Sequence, residues 1–206
     1  MNATVPAASF PAGLDEDSAR ADIYGLLARL YYAPPSQALL QPLRDAPAAP
    51  PGSLLEASWN ALAECARQMD TRAVQAEYDA LFGGVGKPEV YLFASHYLAG
   101  FLNEKPLVAL RGDLAALGLE RDPSVSDTED HIAYLCEIMR MLATGQHGQG
   151  ISLDQQKAFF RTHLHPWIDD LCSAIIAQPA ARFYAGLAEV TRDFANIEAQ
   201  GFDMLP

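Results

Sequence analysis

The sequence predicts an all-α protein, a single globular domain of roughly eight or nine helices. Half of the 206 residues are apolar, which is enough for a sizeable core. Leu and Ala dominate the periodic segments and β-branched residues are sparse, a composition that favours helices over strands. We expect residues 15–206 to form one helical domain, preceded by a flexible Ala- and Pro-rich segment at residues 1–14.

The first half of the chain contains three periodic segments. Residues 17–32 repeat apolar side chains at the i, i+3, i+4 spacing of one buried helix face. Ser53, with Glu56 three residues later, has the pattern of a capping box that opens a second helix. Thr71 is the predicted N-cap of a third helix, which a glycine-rich stretch at residues 83–86 ends.

The middle of the chain is less regular. Residues 90–102 are rich in aromatic side chains, but no partner strand is visible, so a short helix with irregular connections is predicted. A leucine stripe predicts a helix over residues 106–117. Ser126 and Glu129 form a second capping-box pattern, which predicts the start of a long apolar helix through Leu142.

The last third of the chain predicts three helices. Ser152 and Gln155 form another capping-box pattern. Pro166 is compatible with the first turn of the next helix, and Pro179 separates this helix from the last one. The last periodic segment starts near Phe183.

The charge balance argues against two classes of partner. The chain has 26 acidic and 14 basic residues, a net charge of −12, which repels nucleic acid and anionic lipid. Three widely spaced cysteines without a Cys-x-x-Cys motif indicate free thiols in a reducing compartment. Neither a signal peptide nor a membrane span is apparent. We therefore expect a cytoplasmic protein with no nucleic-acid partner and no membrane insertion.

The residue patterns of common catalytic and metal sites are also missing. The histidines and cysteines have no zinc-ligand spacing, and no nucleophile motif of the Gly-x-Ser-x-Gly type occurs. Residues 83–87, Gly-Gly-Val-Gly-Lys, lack the spacing of a phosphate-binding loop. The sequence therefore predicts no metal, no cofactor and no enzymatic activity.

Two clusters are explained most simply as structural. Asp130 and His131 suit a helix start, and as neighbours in a helix they would point about 100° apart, so both could not face the core. Tyr78, Leu81 and Phe82 share one helix face and would be buried there.

A third cluster lies near the predicted break at Pro166. Phe160, Leu164 and Trp167 are expected to pack in the core. His163 is expected to make a buried hydrogen bond.

Taken together, these three clusters resemble the TorD/DmsD family of molybdoenzyme maturation chaperones, which is related to the NarJ-type chaperones. The order is Tyr-x-x-Leu-Phe at residues 78–82, Asp-His at 130–131, and Phe-x-x-His-Leu-x-x-Trp at 160–167. The family carries an acid-Pro-x-Asp-His signature at this point; Asp127 supplies the acid here, but Thr128 stands in place of the proline.

The resemblance implies a peptide-binding site. By resemblance, Tyr78, Leu81, Phe82, Asp130 and His131 would bind the peptide. Ser95 and Tyr97 match a neighbouring family motif less closely and are further candidates for peptide binding.

The same resemblance implies the function. The chain would bind the twin-arginine leader, the apo form, or both, of a molybdenum-cofactor oxidoreductase subunit and hold back its export until the cofactor is inserted. It would be a monomer or a homodimer. Two alternatives remain open: a NarJ-like assembly factor for a subunit that is not exported, and a nucleotide-binding hydrolase.

Overall fold

Helices make up the regular structure throughout the part of the chain that the computed structural model describes, residues 12–83, 87–100, 105–119, 127–145 and 152–204. The α-helical segments are α1 (Ala12–Tyr32), α2 (Gln37–Asp45), α3 (Glu56–Gln68), α4 (Thr71–Phe82), α5 (Ala94–Ala99), α6 (Lys105–Ala116), α7 (Ile132–Thr144), α8 (Leu153–Phe159), α9 (His165–Ile176) and α10 (Phe183–Asp203). A π-helical turn, Phe160–Leu164, joins α8 to α9 without a break, so these ranges hold nine continuous helices and no strand. The all-α prediction is confirmed.

The helices pack around one hydrophobic core. The first helix, α1, packs along α7, and α10 packs against both α9 and α3. The helix α10 contributes many side chains to this core from one broad face, whereas its opposite face holds exposed and half-buried residues. Its buried apolar side chains are Phe183, Tyr184, Leu187, Ala188, Val190, Phe194, Ala195, Ala199 and Phe202.

One helix was not predicted from the sequence. The segment α2 begins after Ser36, whose side chain accepts a hydrogen bond from the Leu39 backbone N–H. Pro42 lies inside it and removes one backbone donor, which is why periodicity alone does not favour a helix there. Burial of Leu40 and Leu43 in the core compensates for that loss.

Among the N-caps predicted for α3, α4 and α8, one is confirmed and two are wrong. Ser152 and Gln155 form the expected capping box at α8. At α4, however, the N-cap is Asp70, whose carboxylate accepts from Ala73 N–H at 2.7 Å, so the assignment of Thr71 as the cap was wrong by one residue. The capping box at Ser53 was also wrong, because that residue lies in a turn before α3 and its hydroxyl accepts no backbone hydrogen bond.

A carboxylate from another helix caps α10. No side chain at the start of α10 caps it. Instead Glu77 of α4, which is buried, accepts hydrogen bonds from the backbone N–H groups of Arg182 (2.9 Å), Phe183 (3.2 Å) and Tyr184 (2.7 Å). A carboxylate is favoured at this position because it satisfies the free N–H groups and faces the positive end of the helix dipole. This contact fixes α4 against the start of α10.

The π-helical turn follows from Pro166. A proline has no N–H group and cannot donate to the carbonyl four residues earlier, so the local bonding shifts by one residue and His165 N–H donates to the carbonyl of Phe160. Phe160, Leu164 and Trp167 are buried, as predicted. His163 makes the predicted hydrogen bond from a buried position, with 2.7 Å between its Nε2 and Oδ2 of Asp113 on α6.

Among the helices in these ranges, none is long and apolar enough to cross a lipid bilayer.

Candidate functional site

Residues from three distant parts of the sequence meet at a concave surface, which we call the aromatic pocket. Its volume is about 160 Å³. Its lining residues are Tyr32, Tyr78, Phe82, Pro88, Val90, Tyr91, Leu92, Phe93, Asp127 and His131. Aromatic rings make up much of the wall, with a carboxylate and an imidazole beside them.

The α4 wall of the pocket holds two rings on one face. Tyr78 and Phe82 are four residues apart, so they are neighbours on the helix surface, and their ring centroids lie 5.2 Å apart. The Tyr78 hydroxyl donates to the backbone carbonyl of Tyr31 at 3.2 Å. Burial, with a smaller contribution from the Asp127 carboxylate, raises the pKa of Tyr78 to about 12, so the hydroxyl stays protonated. Phe82 packs edge-on against Tyr184 of α10, at 5.0 Å between centroids.

A short backbone pairing builds the opposite wall. Ile132 N–H donates to the Leu92 carbonyl at 2.8 Å, and Ala94 N–H donates to the Asp130 carbonyl at 3.0 Å. These bonds form an isolated antiparallel bridge between Phe93 and His131. The segment before α5 is therefore tied directly to the start of α7.

His131 is the N-cap of α7. Its Nδ1 accepts a hydrogen bond from Ala133 N–H at 3.1 Å, so the neutral ring carries its proton on Nε2. The ring packs edge-on against Phe93, with 4.9 Å between centroids. Burial lowers the pKa of His131 to about 4, against the opposing effect of the Asp127 and Asp130 carboxylates. The ring is therefore neutral at physiological pH and acts as an aromatic surface with one N–H donor.

Asp130 is buried more completely than His131. Only 1% of the residue is exposed. Its Oδ2 accepts from Ser95 N–H at 2.9 Å, and its Oδ1 accepts from the Thr128 hydroxyl. The carboxylate therefore reinforces the pairing between the two segments from inside the protein.

These positions correct two expectations about the start of α7. The helix begins at Ile132 with His131 as its cap, so it does not begin with a capping box at Ser126 and Glu129; Ser126 itself lies outside the described residues. Because Asp130 and His131 both precede the helix, the angle between helical neighbours does not apply to them, and both are buried.

The structure separates the predicted site residues into two groups. Tyr78, Phe82 and His131 line the aromatic pocket, whereas Leu81 is fully buried in the core behind it. Asp130 lies at a second cavity of about 210 Å³, between α5, α6 and the π-helical turn.

The two weaker candidates lie beside the pocket. Ser95 is buried and bonds to Asp130. The Tyr97 hydroxyl donates to the Tyr91 carbonyl at 2.8 Å, and its ring stacks on Trp167. Both residues therefore support the segment that builds the pocket wall.

Seven of the ten lining residues were not predicted as site residues: Tyr32, Pro88, Val90, Tyr91, Leu92, Phe93 and Asp127. Tyr32 was assigned only to the end of the first helix, Phe93 to an irregular segment and Asp127 to the predicted start of the long helix opened by Ser126. Asp127 occupies the acid position of the acid-Pro-x-Asp-His signature, but no motif marks the others, since they become part of the site through residues far away in the sequence. Tyr32 is 54% exposed and its ring packs against Tyr134 of α7 at 5.9 Å.

Residues 51–173 match the family model described as the nitrate reductase delta subunit. The chain belongs to the nitrate reductase delta subunit family. This is the wider family of NarJ-type redox-enzyme maturation chaperones, so the predicted membership of the molybdoenzyme maturation chaperones is confirmed, and the TorD/DmsD subtype remains a prediction. The matched range contains every residue of the aromatic pocket except Tyr32.

A solved structure has a fold similar to that of this chain. A crystal structure described as that of a proposed redox enzyme maturation protein from Archaeoglobus fulgidus is 17% identical to this delta-family chain. The match covers 93% of this chain and 99% of that one, with a TM-score of 0.57, and at this identity it supports the fold alone. No curated protein matches the chain.

Within the described ranges of the delta-family chain, no group of three or more His, Cys, Asp or Glu side chains is arranged to hold a metal ion.

His131 should make the stability of this delta-family protein depend on pH. The pKa of its ring is about 4 in the folded state instead of 6.5, so between these pH values the unfolded chain binds a proton that the folded chain does not. The contribution is complete above pH 6.5 and is lost as the pH falls towards 4, with a slope of up to about 1.4 kcal/mol per pH unit. His131→Asn keeps a side-chain acceptor for Ala133 N–H and should reduce the slope. Urea unfolding of both proteins across this range measures it, and equal slopes would contradict the assignment.

Proposed function

We propose that this chain is a maturation chaperone that binds the twin-arginine leader of a molybdoenzyme subunit at the aromatic pocket. In this role it holds back export of the subunit until the cofactor is inserted, and it acts in the cytoplasm without catalysing a reaction. The observation that carries the proposal is the meeting of α4, the segment at residues 88–93 and the start of α7 in one concavity. Family membership supports the chaperone role.

The size of the pocket limits what it can bind. A volume of about 160 Å³ admits one large apolar side chain and not a whole helix. Full burial of such a side chain contributes about 1.5–3 kcal/mol. We therefore propose that one leader residue enters the pocket as an anchor, while the rest of the peptide lies on the surrounding surface.

The charge of the chain suits a basic peptide. The net charge is −12, and Asp127 places a carboxylate at the pocket lining. An arginine near this rim would gain about 0–1 kcal/mol from an exposed ion pair. Charge would therefore set the orientation and the encounter rate, whereas the apolar anchor would provide most of the affinity.

The predicted site residues receive two roles under this proposal. Tyr78, Phe82 and His131 contact the peptide because they line the pocket. Leu81 and Asp130 are positioning residues because they are buried and do not line the pocket. The first holds α4 against the core, and the second holds the first turn of α5 against the segment before α7.

The family match also favours a second candidate function. A delta-family assembly factor could act on a subunit that is not exported, and the pocket would then bind another segment of that subunit. Titration of the protein with the leader peptide alone separates the two functions, since only the first requires the leader to be sufficient for binding.

Tyr32→Ala tests whether the leader peptide binds in the aromatic pocket. This side chain is 54% exposed, so its removal should leave the fold intact while it removes part of the pocket wall. We expect the affinity for a twin-arginine leader peptide to fall about tenfold, measured by isothermal titration calorimetry. Val108→Ala, an exposed apolar change on α6, is the control and should bind normally. Unchanged leader affinity in both Tyr32→Ala and Phe82→Ala would reject this pocket as the site.

A further inference from the structure

Two adjoining depressions form a second concave surface, which we call the apolar groove. It lies between α1, α10 and the loop before α3, and both depressions share Ile23, Leu54, Leu55 and Ile197. Their volumes are about 550 Å³ and 500 Å³, so each is larger than the aromatic pocket. The first extends to Phe202 near the end of α10, and the second extends to Trp59 of α3.

Large apolar side chains are exposed along the groove. Leu54 is 72% exposed and lines both depressions, and Met204 is 80% exposed at the end beyond α10. Leu153 is also exposed and lines the same depression as Met204. Contiguous exposed apolar surface with a polar rim is typical of a binding site for another protein segment.

The rim of the groove is negatively charged. Glu16 and Asp17 line it at the surface, and the buried Glu198 lies beside one guanidinium, Arg20. Arg20 is already neutralised inside the protein, because it pairs with both oxygens of Glu198 at 2.7 Å and 2.8 Å and with Asp17 at 2.8 Å. An incoming segment therefore meets an apolar floor beside excess negative charge.

The groove is separate from the aromatic pocket. Each contains a residue of α1, Ile23 in the groove and Tyr32 in the pocket, and they share no lining residue. Nine helical residues correspond to about 14 Å along the axis and about 180° around it, so these side chains point to opposite sides of α1. A peptide anchored in the pocket leaves the groove free.

We propose that the apolar groove binds a second segment of the client subunit, outside its leader: an amphipathic helix with Lys or Arg beside its apolar face. This inference rests on the proposed chaperone function. The apolar floor matches the apolar face, and the carboxylates match the basic residues. A second copy of this chain fits less well, since each copy has a net charge of −12 and would bring a like-charged surface to the rim.

A synthetic probe tests the groove without the leader. The probe is an amphipathic Leu/Lys peptide of about 18 residues, long enough to form a helix. Calorimetric titration should show that Leu54→Gln binds it about tenfold more weakly than the unchanged chain, a difference of about 1.4 kcal/mol. Val108→Thr is the matched control, because Val108 is 71% exposed and lies on α6, and it should bind normally. Equal affinities in Leu54→Gln and the unchanged chain would overturn the proposal.

Two further measurements separate this site from its alternatives. Tyr32→Ala should bind the probe normally, and Leu54→Gln should bind the leader normally. A result that rejects the pocket as the leader site therefore differs from a result that rejects the groove as a second site. Loss of probe binding in Tyr32→Ala to the same extent as in Leu54→Gln would overturn the second site. Sedimentation equilibrium that showed a dimer, dissociated by Leu54→Gln, would assign the groove to self-association and would also overturn the proposal.

Discussion

Replacement of Glu77 by alanine is expected to lower the free energy of unfolding by about 3–4 kcal/mol. Its carboxylate accepts three hydrogen bonds from the backbone at the start of α10, where no local side chain provides a cap. Truncation leaves these N–H groups without their acceptor at the positive end of the helix. Urea unfolding followed by circular dichroism measures the loss.

Two further variants make the Glu77 prediction specific. Asp79→Ala removes an exposed acid from the same helix and should change the unfolding free energy by no more than about 0.5 kcal/mol. Glu77→Gln retains one acceptor oxygen but turns an amide NH₂ towards part of the helix start, so its loss should be intermediate. Stability of Glu77→Ala equal to that of Asp79→Ala would show that the cap is unimportant.

Asp130→Ala is expected to lower the unfolding free energy by about 3 kcal/mol and to weaken leader binding with it. The substitution leaves the buried Ser95 N–H without its side-chain acceptor and releases the Thr128 hydroxyl. Both partners lie close to the bridge between Phe93 and His131, which builds one wall of the aromatic pocket. The unfolding free energy and the leader affinity should therefore fall together.

Asp130→Asn distinguishes a positioning residue from a direct charge contact. The amide oxygen can still accept from Ser95 N–H, and the amide NH₂ can donate to the Thr128 oxygen. We expect leader affinity within about twofold of the unchanged chain, because a side chain that is 1% exposed does not reach a bound arginine. An affinity as low as that of Asp130→Ala would show that the negative charge itself binds the peptide.

The helices were largely predictable because each one buries an apolar face with a regular spacing. The structure confirms the predicted helices near residues 17–32, 106–117 and 183–197. N-cap assignments were less reliable where two adjacent polar residues could each accept the hydrogen bond from the first turn of the helix. At α4, Asp70 rather than Thr71 accepts from Ala73 N–H, and both residues have side chains that suit an N-cap.

The local structure around Asp130 and His131 could not be predicted from neighbouring residues. Their backbone is held by hydrogen bonds to the segment at residues 92–95, about thirty-five positions earlier in the chain. A capping-box pattern reports only local preferences, so it extended α7 too far towards its N-terminus. Tyr32 was missed for the same reason, since its role depends on α4 and α7 coming together beside it.

The cap that Glu77 supplies also limits the conformational entropy that the protein would lose when a peptide binds in the pocket. Tyr78 lines the aromatic pocket while the residue before it is bonded to the first turn of α10, so this wall of the pocket is held in place without a ligand. A preorganised receptor loses little conformational freedom on association, and the ordering penalty falls on the incoming chain. Under the proposed function, selectivity among clients would then depend on how readily each leader adopts the shape that this rigid wall accepts.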